Sequence, residues 1–139
     1  MKITLTCLCS LLLTFCAMSQ NKEMKLPAPQ KTGGKPLMEA LAARATNRAL
    51  DPDKSLSQQQ LSNMLWAAWG INRPDGRRTA ASAMNCQEID LYLIGKQGAY
   101  LYNATEHALE PIAEGDFRSQ VSAQEFAKNG DWIVIFVAD

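Results

Sequence analysis

The feature that most constrains the fold of this 139-residue chain is a run of six apolar residues near its C-terminus, at 132–137 (WIVIFV). The run lacks polar alternation, which is typical of a β-strand buried on both faces, inside a sheet rather than at its edge. A central strand needs a neighbour on each side. Because the sequence stops two residues later, we expect the polypeptide to end before this sheet is complete.

Two helices are predicted in the first half of the chain. Apolar residues that recur at every fourth position predict a helix over 37–44. Ser57 and Gln60 have the spacing of a capping box, which predicts a second helix over 58–69. Gly70 is expected to end that helix in the left-handed conformation that glycine favours.

The second half of the chain is dominated by extended segments. Residues 89–94 and 99–102 flank the turn sequence GKQG and predict an antiparallel hairpin, and 109–112 resumes extended chain. A second capping box predicts a short helix over 123–128. Together these segments predict an α+β fold with helices around an antiparallel-rich sheet.

Residues 1–19 are predicted to be a secretory signal peptide. An uncharged, largely apolar run covers 3–17, which is too short to span a bilayer comfortably. Ala17 and Ser19 place small residues at the two positions that a signal peptidase reads. Lipidation at Cys16 is one alternative, although the bulky phenylalanine before it argues against that modification. An uncleaved anchor is the other. We therefore expect an exported protein, periplasmic or secreted, with membrane contact only if Cys16 is lipidated.

Cleavage at that point leaves a polar, Pro- and Gly-containing segment at 20–35, which we interpret as a linker or arm before a domain at 36–139. Cys86 would then be the only cysteine, so an intrachain disulfide and a CxxC zinc site are excluded. Basic and acidic residues number 14 each. This balance excludes broad binding to nucleic acid, but it allows a local anion site.

A first candidate site lies at 44–48 (RATNR). If the helix persists there, Arg44 and Arg48 lie one turn apart on one face, and Thr46 adds a hydroxyl group. Two guanidinium groups and a hydroxyl can clamp a phosphate. The alternative is a solvated helix face, where arginines at this spacing are common and favour the helix dipole.

A second candidate site is the loop at 77–87 (RRTAASAMNCQ), just before a predicted strand. Its small side chains let the backbone approach a ligand, and Ser82, Asn85 and Gln87 supply donors and acceptors for the edge of a heterocycle. The alternative is an ordinary polar loop. His107, the only histidine, lacks partners for a metal site.

Four stretches, in order, resemble the nitroreductase-like family of FMN-dependent oxidoreductases over residues 36–139. Residues 44–48 resemble the family's R-x-S-x-R/K motif, with Thr for Ser, and 81–87 resemble its P-S-x-x-N-x-Q motif, with Ala for Pro. Residues 56–71 resemble its LS-x-x-x-L…LLWAA-x-G helix. The RRTA sequence at 77–80 is similar to the branch that includes azoline-oxidising dehydrogenases.

The resemblance implies an FMN cofactor, NAD(P)H as electron donor, and a small-molecule acceptor such as a nitro compound or a quinone. The implied cofactor-binding residues are Arg44, Thr46 and Arg48 at the phosphate and Ser82, Asn85 and Gln87 at the flavin ring. No catalytic side chain is expected, because the cofactor carries the chemistry. A homodimer is also implied, because the family's ring-facing loop often comes from the second protomer.

Family members are longer, so the chain resembles the N-terminal half of a nitroreductase. Their second half adds further sheet, a dimer-forming helix and a late basic residue at the phosphate. Two alternatives to an active enzyme therefore stay open. One is a truncated, catalytically silent remnant, and the other is a secreted binding module in which the arginine pair is merely surface.

Overall fold

The computed structural model describes residues 22–138. The predicted signal peptide, with Cys16, lies outside these residues. The strands are β1 (Met24–Lys25), β2 (Ile89–Gly95), β3 (Gly98–Asn103), β4 (Ala108–Glu114) and β5 (Trp132–Ala138), and the helices are α1 (Leu37–Ala43) and α2 (Gln58–Trp69). All strand pairs are antiparallel, in the order β1-β4-β3-β2-β5. The α+β prediction is therefore confirmed. No helix within 22–138 is long and apolar enough to cross a membrane.

The core lies between α2 and one face of the sheet. The helix contributes apolar residues one turn apart, and the strands contribute alternate residues, which matches their 3.6- and 2-residue periods. The buried cluster consists of Leu61, Leu65, Trp69, Leu91, Leu93, Tyr100, Tyr102 and Leu109. The predicted hairpin forms as β2 and β3, with Ile94 paired to Ala99 across the turn.

Helix α2 has the predicted bounds, and both bonds of its capping box are present. The backbone N–H of Gln60 donates to Ser57 Oγ at 3.2 Å, and the N–H of Ser57 donates to Gln60 Oε1 at 2.9 Å. The left-handed stop at Gly70 is wrong, because Gly70 is extended (φ −72°, ψ 164°). Glycine is needed for space instead, since a Cβ there would lie 2.3 Å from Trp66 Cδ1.

The predicted apolar strand forms, as β5. β5 pairs with β2 along its whole length, from Trp132 opposite Gly95 to Ala138 opposite Ile89. Within residues 22–138 it has no second neighbour, so it lies at the sheet edge. Phe136 remains 57% exposed. An unbroken apolar run indicates that both faces of a strand favour burial, but it does not indicate how many strands pair with it.

The helix predicted over 123–128 is replaced by a short 3-10 helix at Glu125–Asn129. The capping box is absent, because the Ser122 hydroxyl accepts from the N–H of Gln124 instead. Buried Arg118 fixes the end of this segment by donating to the Gly130 carbonyl at 2.6 Å. The N–H of Gly130 in turn donates to the Ala127 carbonyl in the 3-10 helix. These two bonds fix the position of the backbone just before β5.

The segment at 20–35, interpreted as a linker or arm, packs on the domain in its described part. Met24 pairs with Leu109 of β4, and Leu26 packs against the core cluster. Further along, the Pro27 carbonyl accepts a hydrogen bond from the Ser62 hydroxyl at 2.6 Å. Two partly buried apolar side chains and one hydrogen-bonded carbonyl therefore hold a segment whose polar composition is typical of a linker.

His107 joins this arm to α2 and β3. Its Nδ1 lies 2.9 Å from the Tyr102 hydroxyl, and its Nε2 lies 2.8 Å from Ser62 Oγ and 3.1 Å from the Pro27 carbonyl oxygen. Because the carbonyl only accepts, we assign the proton of the neutral ring to Nε2 and infer that Tyr102 donates to Nδ1. Burial lowers the pKa of His107, with a smaller lowering from Lys31, while its bond to Pro27 opposes the shift. Burial raises the pKa of Tyr102 to about 12.

We expect the protein to lose stability as the pH falls below about 6.5, the ordinary pKa of histidine. The folded state holds His107 at a lower pKa than the unfolded state does, so acid adds protons to the unfolded state first. The stability is full above the unfolded-state pKa and is lost as the pH falls through the folded-state pKa. Urea denaturation between pH 8 and pH 5 measures this loss.

The control is His107→Asn, since asparagine tolerates the left-handed backbone at this position (φ 49°). Because the chain has one histidine, the variant should lose most of the pH dependence near pH 6, whatever its absolute stability. An equal dependence of the free energy of unfolding on pH in the wild type and the variant would contradict the assignment.

Gly95 should not tolerate a larger residue. A Cβ at Gly95 would lie 2.7 Å from Cζ3 of Trp132, its partner across the sheet. We expect Gly95→Ala to lower the free energy of unfolding by about 1–3 kcal/mol, the usual effect of overpacking. In the double variant with Trp132→Val the clash is absent. The free energy of unfolding lost in the double variant should therefore be smaller than the sum of the losses in the two single variants. Strict additivity in urea denaturation would contradict this account.

Candidate functional site

The arginine pair is not arranged as the sequence predicts. Helix α1 ends at Ala43, one residue early, and Arg44 has extended backbone (φ −64°, ψ 122°). Residues 44–50 have no regular secondary structure, so Arg44 and Arg48 do not lie one helical turn apart. Each arginine lies two positions along the chain from Thr46, in a segment without a regular side-chain period.

Both arginine side chains are open to a ligand. All three residues of the motif are exposed. The Arg48 guanidinium lies 5.8 Å from the ring centre of Phe126, and within residues 22–138 no carboxylate pairs with Arg44 or Arg48. Two guanidinium groups without a counter-ion favour binding of an anion.

Within the second candidate site at 77–87, the loop at 82–87 is held in place by hydrogen bonds of its own side chains. Ser82 Oγ accepts from the N–H of Gln87 at 2.7 Å and donates to Glu88 Oε2 at 2.6 Å. The bond from Ser82 lowers the pKa of Glu88. Gln87 Oε1 accepts from Arg78 Nε at 2.8 Å, and its amide group donates to Asn85 Oδ1 at 3.2 Å. Ser82 and Gln87 therefore fix the loop, which leaves the side-chain NH₂ of Asn85 without a protein acceptor in the described part of the chain.

The backbone of this loop is unusual. Met84, Asn85 and Gln87 all have positive φ, at 50°, 58° and 52°. Such conformations are disfavoured for residues with side chains and concentrate at functional sites, where the surroundings enforce them. The hydrogen bonds of Ser82 and Gln87 supply that enforcement in a loop that has Ala81 where the family motif has proline.

An open cavity of about 440 Å³ lies against the loop. Its lining residues are Arg73, Arg77, Arg78, Ala80, Ala81, Ser82, Met84 and Asn85. Three of the eight are arginines and none is acidic, so the cavity carries positive charge. Met84 is 94% exposed at this cavity. A concave space of this size with a few polar groups is typical of a small-molecule site.

The two candidate sites lie at opposite ends of one pair of strands. The loop at 82–87 leads into β2 at Ile89, which faces Ala138 at the end of β5. Residues 47–51 lie instead beside 129–131, before β5 begins, and the two segments line a cavity of about 290 Å³. Seven paired positions span about 20 Å at the usual rise per residue. One copy of the chain therefore does not bring the two sites together.

Sequence reasoning missed three contributions to this region. Arg78 holds Gln87 and lies 5.5 Å above the ring of Trp69. Arg73 and Arg77 line the cavity, although Arg73 lies outside the predicted site at 77–87 and Arg77 was given no role within it. The signal that could have found them is the density of arginines at 73–78. Within the described residues no cluster of potential ligands could hold a metal ion.

Comparison with known proteins places this architecture in a family. The family model of the nitroreductase family matches residues 41–137. A crystal structure from Ralstonia eutropha JMP134, described as a "putative nitroreductase", superimposes with a TM-score of 0.76 at 39% sequence identity. The superposition covers 84% of this chain and 55% of that one, so the chain spans about half the length of this structure. No curated protein matches the chain.

The fold, with its antiparallel sheet and positively charged loop, defines an α+β domain of the nitroreductase type. The match of the family model over most of the chain settles the relationship, and the chain belongs to the nitroreductase family. The resemblance predicted from the motifs at 44–48 and 81–87 is therefore confirmed at the level of family and fold.

The bond between Ser82 and Glu88 can be tested directly. We expect Ser82→Ala to raise the pKa of Glu88 toward its ordinary value of 4.5, because the hydroxyl that stabilises the carboxylate is removed. A carboxyl-carbon NMR titration measures the change. Glu125 is the internal control, since Lys128 lowers its pKa independently of Ser82. A Glu88 pKa that does not move would contradict the geometry of the loop.

Proposed function

We propose that this protein is an exported, FMN-binding oxidoreductase that passes electrons from NAD(P)H to a small acceptor such as a nitro compound or a quinone. The observation that carries the proposal is the pair of polar sites described above. Both lie within the residues that match the nitroreductase family, and both leave donors open to a ligand.

The residues present suit the phosphate of FMN. Arg44 and Arg48 are exposed and have no carboxylate partner in the described chain. Thr46 lies between them in the sequence, is exposed and offers a hydroxyl group. Guanidinium groups bind phosphate with two parallel hydrogen bonds, which a lysine cannot form. We therefore assign the phosphate to these three residues.

The loop at 82–87 suits the ring. Asn85 lines the cavity, and its side-chain NH₂ has no protein acceptor in the described part of the chain, while Ser82 and Gln87 hold its backbone in the left-handed conformation. Because those two side chains are occupied within the protein, we assign them to positioning and Asn85 to direct contact. FMN, when bound, supplies the hydride and electron transfer, and the chain binds it, orients it and limits access to it.

We further propose that two copies of the chain complete each site. The phosphate and ring residues of one copy are separated by the length of the β2–β5 pair, so one copy cannot surround one nucleotide with both. In the dimer that we propose, the phosphate residues of one copy would lie beside the loop of the other, as two-fold symmetry allows. The apolar face of α1 supports an interface, since Leu37, Met38 and Leu41 are at least half exposed.

The proposal of export rests on residues 1–19 alone. Their short apolar run and the small residues that follow are typical of a cleaved secretory signal. In that case the domain acts outside the cytoplasm, and its single remaining cysteine, Cys86, is exposed there.

Titration with FMN tests the cofactor assignment. We expect Arg44→Gln/Arg48→Gln to weaken FMN binding at least tenfold, because two charge-assisted contacts to the phosphate are lost. Lys22→Gln/Lys35→Gln is the matched control, since it removes the same charge from exposed positions without a described partner. Quenching of flavin fluorescence measures both. A folded wild-type chain that takes up no FMN would favour the alternatives of a silent remnant or a binding module.

Mixing two inactive variants tests the shared site. Arg44→Gln/Arg48→Gln and Asn85→Ala/Gln87→Ala damage opposite halves of the site, so neither should bind FMN tightly alone. If each site draws on two copies, refolding them together should restore about one quarter of the sites, in mixed dimers. Mixtures that bind no more FMN than the separate variants would contradict a shared site.

A further inference from the structure

The cavity beside the ring-facing loop is built on a tight turn that presents two arginines. The N–H of Gly76 donates to the Arg73 carbonyl at 3.1 Å, and the N–H of Asn72 donates to the Arg77 carbonyl at 3.1 Å. Gly76 has φ +80°. This is the usual arrangement of a Pro-Asp-Gly turn. Arg73 and Arg77 therefore flank a rigid turn, and both line the cavity.

The three guanidinium groups of the cavity are not equivalent. Arg78 is committed to the protein, since it donates to Gln87 and to the Trp69 carbonyl. Arg77 is partly neutralised by Asp75, whose carboxylate lies 3.4 Å from its Nε. Arg73 donates only to the neutral side chain of Asn72, at 3.2 Å. Arg73 and Arg77 are thus the groups with charge and donors left for a ligand.

The remaining lining selects the kind of ligand. Ser82 and Asn85 are neutral and polar, and no acidic side chain lines the cavity. A metal ion or a cationic ligand would be repelled. An oxyanion fits, because phosphates and carboxylates accept the parallel hydrogen bonds that guanidinium groups donate.

We propose that Arg73 and Arg77 bind the phosphate or carboxylate group of the substrate that exchanges electrons at this site. This inference rests on the proposed function, since Ser82 and Asn85 line the cavity and also belong to the proposed flavin site. It assigns to the enzyme a preference for negatively charged substrates, set by two residues outside the cofactor motifs.

The first experiment measures binding of inorganic pyrophosphate by calorimetry, at low salt and without FMN. Every protein carries Arg44→Gln/Arg48→Gln, so that the proposed FMN phosphate site does not take up the probe. Adding Arg73→Gln/Arg77→Gln should weaken binding about tenfold or more, since two charged donors are lost. Adding Lys22→Gln/Lys35→Gln should leave it unchanged. Equal loss in both, or no pyrophosphate binding at all, would overturn the proposal.

A third variant works in the opposite direction. Asp75→Asn removes the charge that competes for Arg77, while asparagine keeps the oxygen that accepts from the N–H of Arg77 at 3.2 Å. Pyrophosphate should therefore bind more tightly, by about two- to fivefold for a solvent-exposed pair. Weaker binding in this variant would count against the proposal. Circular dichroism confirms that each protein is folded.

The second experiment separates the two sources of the oxyanion. In the FMN-loaded protein, Arg73→Gln/Arg77→Gln should raise the KM for NADPH if the cavity takes a phosphate of the donor, or the KM for 4-nitrobenzoate if it takes the carboxylate of the acceptor. The KM for neutral 4-nitrobenzyl alcohol should stay unchanged. If neither KM for a charged substrate rises, or if the neutral one rises equally, the substrate assignment is wrong. If the chain takes up no FMN but still binds pyrophosphate, the proposed function is wrong, while binding of an anion by Arg73 and Arg77 is retained.

Discussion

The structure depends on the packing of one face of β2 beneath α2. Leu91 and Leu93 of β2 and Leu65 of α2 are completely buried, and burial of each leucine side chain contributes about 1.5–3 kcal/mol. β2 also pairs on both edges, with β3 and β5. Because β2 packs under α2 and pairs with β5 along its whole length, it fixes the positions of the loop that precedes it and of the hairpin turn that follows it.

That constraint explains why the loop at 82–87 can hold a strained backbone. The loop ends where β2 begins, and Glu88, the last residue before the strand, anchors Ser82. On the other side, Arg78 ties Gln87 to the end of α2 through the Trp69 carbonyl. The loop is therefore held between the two elements that form the core, so a disfavoured conformation is maintained by rigid supports.

A second set of polar contacts fixes the N-terminal arm on the domain. Ser62 is fully buried in α2, and its hydroxyl donates to the Pro27 carbonyl of the N-terminal arm, with His107 completing the set. Buried hydroxyl and imidazole groups require partners, so these residues restrict the arm to one position. The packing of the N-terminal arm therefore depends on a neutral His107, whereas the candidate site contains no histidine.

The sequence by itself determined the elements whose signals are local. The capping box of Ser57 and Gln60 and the alternation of 89–94 depend on neighbours within a few residues, and both segments form as predicted. The family motifs were readable for the same reason. The pairing of β5 with β2 was not readable, because it depends on residues far apart in the sequence. The role of Gly70 was not readable either, although its cause is local, the close approach of Trp66 four residues earlier. Only the tertiary structure decided that the two polar sites lie at opposite ends of β2 and β5, since strand register is set by long-range pairing. It also decided that Arg73 and Arg77 share one cavity, because a cavity is formed by segments that meet only after the chain has folded.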